Sequence, residues 1–267
     1  MDAVVLAGGT PQPDDPLYPY TQGKPKALLE MAGKPMAQWV LDALSASPEI
    51  GHIYIVGLTA QDGLQTHKPV TYLPNQGSIL ANILAGLRAI LQDRGSADPA
   101  AEYSLIASAD IPTITPEIVD WTASNARDLQ ADLVYHVIPR ETMEKRFPGA
   151  NRTYLRLKDV EVCGADLNVV RTSIANTNTE IFGRLIAARK NPLKEAAILG
   201  WKTLLMIALR RWTLQRVVAE ASARIGIRGV GVISPYAEMA MDADKPHQVE
   251  ILRADLARHS QTEVAHG

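Results

Sequence analysis

Ala3-Val4-Val5-Leu6, followed at once by Ala7-Gly8-Gly9, is the stretch that decides the fold. The four apolar residues are too few for a helix, and they predict a buried strand of a parallel sheet. The two glycines lack a Cβ atom, so the backbone N–H groups of this turn can come close to an anion. A purely structural turn is the competing interpretation of the glycines.

Strand-like and helical segments alternate after this turn. Strands are predicted over residues 53–56, 70–73, 104–108 and 131–139, and helices from Pro35, over 78–91 and from Thr115. Residues 10–25 are rich in proline and predict a loop. Because this alternation is typical of βαβ units, we predict an α/β fold with a Rossmann-like, mostly parallel sheet sandwiched by helices.

The pattern changes after Pro139. Short strand-like pieces with many charges come first, a long helical pattern follows, and a strand and a final helix return after residue 226. We therefore predict that residues 1–139 form the first part of the main domain. Residues 140–226 are predicted to form a largely helical insertion or lid, and residues 227–267 to return to the main domain.

The composition excludes several classes of function. A formal net charge of −2 gives no general attraction to nucleic acid, so a phosphate-rich ligand needs local cations. Cys163 is the single cysteine of the sequence, which excludes an internal disulfide and a cysteine-rich zinc site. The start of the chain shows no basic, apolar secretion signal, so we expect a cytoplasmic protein.

Lysines recur in the loop that follows the glycine turn, in Gly23-Lys24-Pro25-Lys26 and in Gly33-Lys34-Pro35. A lysine brought near the turn would add a point charge for a phosphate group. The combination of glycines and lysines therefore favours a phosphate-binding turn over a purely structural one.

Two acidic residues lie where they could hold a metal ion. Asp110 follows the predicted strand 104–108, and ligands bind at the carboxyl ends of strands in open α/β sheets. A carboxylate there can hold Mg²⁺, although capping of the following turn is the alternative. Asp244, in Asp242-Ala243-Asp244-Lys245-Pro246, would otherwise cap the last helix.

These segments together resemble the nucleotidyltransferase superfamily, which includes molybdenum-cofactor guanylyltransferases, sugar-phosphate nucleotidyltransferases and the cytidylyltransferase of isoprenoid synthesis. The similarity covers residues 4–41 and two short later segments, whereas residues 140–226 match only loosely. The resemblance implies transfer of a nucleoside monophosphate from an NTP, GTP or CTP, to a phosphorylated acceptor. Mg²⁺ would assist the reaction, and pyrophosphate would be released.

The resemblance also implies roles for individual residues. Leu6, Ala7, Gly8, Gly9 and Lys26 would bind the nucleotide, and Lys26 and Asp110 would be catalytic. Asp110 and Asp244 would hold Mg²⁺, with Asp242 as the second choice for the latter. Asn75, Gly77 and Ser78 would contact the base and ribose, although they are almost as well explained as an N-capped helix start.

One departure from the family pattern leaves a second function open. The family loop usually reads Gly-x-Gly-x-Arg, whereas residues 10–20 contain no arginine and carry Asp14 and Asp15 instead. Either Lys24 supplies the missing charge or the loop closes differently. The chain could then be a non-catalytic or regulatory relative that binds nucleotide. A dinucleotide-binding oxidoreductase is disfavoured because a proline-rich loop replaces Gly-x-Gly-x-x-Gly and its helix.

The basic and apolar segments of the second half allow two interpretations each. Arg152, Arg156 and Lys158 form either an acceptor-binding pocket or a charged, solvated hairpin. Residues 196–212 are apolar, but they are too short and too charged to span a membrane. We interpret them as a helix packed on the domain or on a second subunit of a homodimer. The alternative is peripheral contact with a membrane through Trp201, Trp212, Arg210 and Arg211.

Overall fold

The computed structural model describes residues 1–95, 102–177, 182 and 200–266. The strands are β1 (Asp2–Leu6), β2 (Glu30–Met31), β3 (Lys34–Pro35), β4 (Ile53–Val56), β5 (Val70–Leu73), β6 (Tyr103–Ser108), β7 (Leu133–Pro139), β8 (Leu155–Arg156), β9 (Glu161–Gly164), β10 (Leu167–Arg171) and β11 (Gly229–Ile233). The helices are α1 (Tyr18–Thr21), α2 (Met36–Ala46), α3 (Ile79–Arg94), α4 (Pro116–Leu129), α5 (Arg140–Arg146), α6 (Trp201–Ala208), α7 (Leu214–Ile225) and α8 (Pro246–His266).

One large sheet holds nine of these strands, in the order β5-β4-β1-β6-β10-β7-β9-β8, with β11 also paired to β7. β5, β4, β1 and β6 pair in parallel, as do β7 and β11. β9 and β10 pair antiparallel to their neighbours. The prediction of a mostly parallel, Rossmann-like α/β sheet is confirmed.

β1 lies in the middle of the sheet and is buried on both faces. Ala3 and Val5 point into the core cluster that includes side chains of α2, α4 and α8, whereas Val4 points into the cluster under α3. All three side chains are fully buried, which is why the strand is a continuous apolar run rather than an alternating one.

β10 corrects the predicted domain boundaries. Residues 167–171 were predicted to belong to the insertion 140–226, yet β10 lies between β6 and β7 in the main sheet. Val169 and Val170 pair with Val134 and Leu133 of β7. An antiparallel strand that inserts between two parallel ones is determined by pairing with residues far away in sequence, so the local pattern could not show it. The described helices α6 and α7 remain outside the sheet.

His136, in the middle of β7, predicts how the fold responds to acid. Burial lowers the pKa of this imidazole to about 4. An unfolded histidine binds a proton below about pH 6.5, so the folded state loses up to about 3 kcal/mol between pH 6.5 and pH 4. We expect the free energy of unfolding in urea to fall less steeply over this range in His136→Leu than in the wild type. His67→Gln, which replaces an exposed histidine, is the control. Identical pH dependence in wild type and His136→Leu would contradict the prediction.

Candidate active site

A cavity of about 520 Å³ opens at the edge of the sheet where β1 and β6 end. Ligands bind at this edge in open α/β sheets. β10 runs in the opposite direction, so the residue that precedes it, Asp166, reaches the same edge. The rim of the cavity thus carries the charged side chains of Lys26, Asp110, Asp166 and Asp244.

Three of these rim residues are in direct contact. The Nζ atom of Lys26 lies 2.5 Å from Oδ2 of Asp110 and 2.5 Å from Oδ1 of Asp244. The Lys26 N–H donates to the carbonyl oxygen of Gly9 at 2.8 Å, which ties the lysine to the glycine turn. The N–H of Ala243 donates to the carbonyl oxygen of Asp110 at 3.2 Å, so the two acidic segments are joined as well.

The rim carries more negative than positive charge. Burial alone lowers the pKa of the Lys26 ammonium, but the carboxylates of Asp110 and Asp244 outweigh it and raise the pKa above its ordinary value. Burial raises the pKa of Asp166 to about 7, with Asp110 and Asp244 adding to the shift. Carboxylates crowded in this way favour the binding of a cation between them.

The glycine turn is held by a side chain from the strand–helix junction after β5. The Nδ2 of Asn75 donates to the carbonyl oxygen of Gly8 at 2.8 Å. A Cβ atom on Gly8 would lie 2.7 Å from the Asn75 side chain, whereas a Cβ on Gly9 would meet nothing within 4 Å. Gly8 is therefore needed for packing, and the space beside Gly9 remains open to a ligand.

The start of α3 contributes one wall of the cavity. Ser78 caps the helix by accepting a hydrogen bond from the N–H of Ala81 at 3.2 Å. The N–H of Gly77 and the Nδ2 of Asn82 both donate to Oδ1 of Asn75, at 2.8 and 3.1 Å. Asn75, Gly77 and Ser78 are thus engaged with the protein's own chain, and the cavity is lined from this helix by Ile79, Asn82 and Ile83.

The structure separates the three basic residues predicted to bind an acceptor. The Arg152 guanidinium pairs with Asp242 and lies 4.0 Å from Asp166, which lines the cavity. Arg156 pairs with Glu161 at 2.8 Å on the β8–β9 hairpin, with half of its side chain exposed. The N–H of Lys158 donates to the carbonyl oxygen of Trp212 at 3.0 Å. Of the three, Arg152 is the one in contact with a residue of the cavity.

The two candidate acids before α8 also have different positions. Asp244 lies on the rim against Lys26, and 58% of its side chain is exposed. Asp242 is buried in the ion pair with Arg152. The geometry therefore favours Asp244 over the second choice, Asp242, as a ligand of a cation at the rim.

A family model and several solved structures match the chain. The model of the MobA-like NTP transferase domain matches residues 3–203. The chain belongs to this family. No curated protein matches it.

Among solved structures, a hypothetical transferase from Thermus thermophilus is 32% identical to this MobA-like NTP transferase, with a TM-score of 0.78 over 93% of this chain and 98% of that one. CMP:2-keto-3-deoxy-manno-octonic acid synthetase, solved with CTP, is 13% identical with a TM-score of 0.60 over 97% and 100%. 4-diphosphocytidyl-2C-methyl-D-erythritol synthase from Anaerococcus prevotii is 12% identical with a TM-score of 0.57 over 96% and 95%. At such low identity these last two show the fold alone.

The residues of the rim fit the metal ion that the resemblance implies. The Oδ1 atom of Asp110 is buried and has no hydrogen-bond partner within the described part of the chain, so its lone pairs are available. The described residues contain no group of three or more His, Cys, Asp or Glu side chains that could hold a metal ion. Mg²⁺ does not need such a group, because it keeps several waters and shares phosphate oxygens with one or two carboxylates.

Several residues around the cavity were not predicted as site residues. Asp166 and Asn168 flank the start of β10, and Tyr135 faces the cavity from β7. Asn168 accepts a hydrogen bond from the N–H of His136 at 2.8 Å and so links the two strands. The alternation of the polar residues Asp166 and Asn168 could have indicated that both face the cavity, because alternate residues of a strand lie on one face.

Gly57, immediately after β4, was not singled out by the sequence either, and its surroundings lead to a prediction about stability. Its φ is +106°, and a Cβ atom there would lie 2.3 Å from the Cα of Gly8. We expect Gly57→Ala to destabilise the fold by about 3 kcal/mol, which lowers Tm by roughly 5–10 °C. Gly63→Ala is the matched control, because Gly63 has a φ of +75° but no atom within 4 Å of the added methyl. Equal Tm losses in the two variants would show that contact with the glycine turn is not the cause.

The apolar segment 196–212 lies only partly within the described structure, because residues 196–199 fall outside it. In α6, Ile207 packs against the cluster that contains Leu214 of α7, as the prediction of a helix packed on the domain requires. None of the described helices is both long enough and apolar enough to cross a bilayer.

Proposed function

We propose that this MobA-like protein transfers a nucleoside monophosphate from an NTP to a phosphorylated small-molecule acceptor and releases pyrophosphate. The observation that supports the proposal most strongly is the convergence of Lys26, Asp110 and Asp244 beside the glycine turn. Groups from three distant parts of the chain meet there, and they are the types that phosphoryl-transfer chemistry uses for positioning and charge neutralisation.

The nucleotide is proposed to lie along the turn formed by Leu6, Ala7, Gly8 and Gly9. The open space beside Gly9 lets a phosphate approach the backbone. Lys26 is hydrogen-bonded to Gly9 through its backbone N–H, so its ammonium can bind the same phosphate. Asn75 would act by holding the turn through the Gly8 carbonyl rather than by meeting the nucleotide directly. GTP and CTP remain the proposed donors.

Asp110 and Asp244 are proposed to hold Mg²⁺. The ion would neutralise the charge that develops on the phosphate oxygens during transfer. Asp110 can offer its Oδ1 atom, which has no hydrogen-bond partner among the described residues, and the side chain of Asp244 is largely exposed. Both residues line the cavity.

The acceptor is proposed to enter beside Asp166, whose carboxylate lies 4.0 Å from the Arg152 guanidinium. One oxygen of the acceptor's phosphate forms a bond to the α-phosphorus of the NTP, and the bond from that phosphorus to the bridging oxygen of pyrophosphate breaks. A phosphate monoester is ionised near neutral pH, so the step needs no general base. Orientation of the two phosphates in the cavity is then the main task of the protein.

A thermal-shift comparison followed by a pyrophosphate assay tests the proposal. We expect one of the four NTPs, in the presence of Mg²⁺, to stabilise the protein by about 3 kcal/mol at a hundredfold excess over Kd. Pyrophosphate should appear only when a phosphorylated acceptor is added as well, and mass spectrometry of ligand retained after gentle purification narrows the choice of acceptor.

Two outcomes contradict the proposal. Stabilisation by NTP without pyrophosphate release across a panel of sugar, polyol and lipid phosphates would favour the non-catalytic nucleotide-binding relative. The absence of arginine in residues 10–20 is the feature that fits that alternative. If no NTP raises the Tm of the protein, the proposal that it binds a nucleotide is contradicted as well.

A further inference from the structure

The outer face of α6 combines exposed leucines with nearby cations. Leu205 and Leu209 are each 57% exposed, among the most exposed large apolar residues of the described structure. They are four residues apart, so they lie on one side of the helix, together with the exposed Lys202. A helix that packs only on its own domain would turn such leucines inward, as α6 does with Ile207.

The charge of this region differs from that of the whole chain. Lys202, Arg210, Arg211 and Arg216 are four cations within residues 200–219, which contain no acidic residue, whereas the chain carries a net charge of −2. None of the four forms an ion pair with an acidic side chain of the described residues. The Arg216 guanidinium lies 5.5 Å above the ring of Trp212, which places an aromatic side chain among these cations.

α6 lies on the same face of the sheet as the cavity. Gly231 of β11 pairs with Tyr135 of β7, and residues paired across strands point to the same face. A Cβ atom on Gly231 would meet Val218 and Leu214 of α7, so α7 covers this face next to Tyr135, which lines the cavity. α6 packs in turn on α7 through Ile207, whereas Leu205 and Leu209 stay exposed.

We propose that this α6 surface, formed by Lys202, Leu205, Leu209, Arg210 and Arg211, docks on an anionic lipid bilayer. The two leucines enter the boundary between headgroups and acyl chains, and the cations meet the lipid phosphates and carboxylates. A second copy of the chain is a poorer occupant, because it would place cations against cations. Nucleic acid is also a poorer occupant, because its phosphate backbone offers no apolar surface to the two exposed leucines. The docking goes beyond the proposed transfer reaction and does not depend on it.

Co-sedimentation of the full chain with vesicles tests this inference. We expect binding to vesicles of phosphatidylcholine mixed with phosphatidylserine and little binding to phosphatidylcholine alone. Raising the salt from about 0.1 M to about 0.5 M should weaken the binding, because the Debye length falls by about half. Arg210→Gln with Arg211→Gln should lower the partition coefficient by about thirtyfold, or about fivefold per cation. Leu205→Ser with Leu209→Ser should lower it by roughly tenfold or more.

Two matched variants control for the exposed residue types. Lys145→Gln removes an exposed cation from α5, which packs against the other face of the sheet through Met143. Ile79→Ser removes the apolar side chain that is 72% exposed at the start of α3. Both should bind anionic vesicles as the wild type does, and circular dichroism should show that all variants are folded.

Three results would overturn the inference. The first is equal sedimentation of the wild type with neutral and anionic vesicles, or with neither. The second is unchanged binding by the α6 variants. The third is a wild-type dimer in solution that the double leucine variant converts to a monomer, because a second copy would then occupy the surface. Pyrophosphate release from a water-soluble acceptor, measured without vesicles, tests the proposed reaction separately.

Discussion

Asp110→Asn is expected to lower the rate of pyrophosphate release by roughly a thousandfold or more. The substitution keeps the shape of the side chain but removes one of the two negative charges that flank Lys26. It also converts one carboxylate oxygen into an amide N–H₂ group, which cannot bind a cation. The assay is continuous detection of pyrophosphate with saturating NTP and acceptor.

The same variant has a second readout that is independent of turnover. In the wild type we expect Mg²⁺ to increase the rise in Tm that NTP produces, and Asp110→Asn should lose this increment. Asp42→Asn is the control, because Asp42 forms a surface ion pair with Lys34 at 2.5 Å and such pairs contribute little to stability. Full turnover by Asp110→Asn would refute its assignment to the metal.

Lys26→Met is expected to lower pyrophosphate release by a factor on the order of a hundred to a thousand. Methionine has a similar length and is uncharged, so the variant removes the ammonium with little change in volume. The loss should appear in kcat as well as in kcat/KM, because the charge on the phosphates grows as pyrophosphate leaves.

Without its lysine, the pair Asp110 and Asp244 should respond more strongly to metal. Two carboxylates that share one ammonium in the wild type then face each other uncompensated, so the Tm of Lys26→Met should fall in EDTA and recover in Mg²⁺. Lys34→Met, which removes the ion-pair partner of Asp42 but leaves its hydrogen bond from Gln38, should show neither effect. A Lys26→Met protein with wild-type turnover would exclude Lys26 from catalysis.

Most of the correct predictions came from two sources. One was the resemblance of residues 4–41 and two short later segments to the nucleotidyltransferase superfamily, and the other was the apolar pattern of single strands. β1 was predictable because its central residues Ala3, Val4 and Val5 are fully buried, and this burial requires a run of consecutive apolar residues. The glycine turn and the position of Asp110 were also predictable. Each lies directly after a strand, β1 or β6, whose end can be recognised from the neighbouring residues.

Contacts between distant segments could not be predicted in this way. The resemblance already placed Asp244 ahead of Asp242 as a metal ligand, but the ion pair that engages Asp242 comes from Arg152, far earlier in the chain, and could not be predicted. The need for glycine at position 57 arises from Gly8, which belongs to another strand end. Nothing in the residues next to either position records these neighbours.

The sequence by itself determined the α/β class and the parallel strands, because both depend on the burial and turn chemistry of neighbouring residues. The family was indicated by the resemblance of residues 4–41 and two short later segments. Only the tertiary structure decided that β10 lies inside the sheet and that the Arg152 guanidinium lies 4.0 Å from Asp166. It also decided that the leucines of α6 face outward. The physical reason is that strand pairing, ion pairing and exposure depend on where the whole chain brings distant segments together.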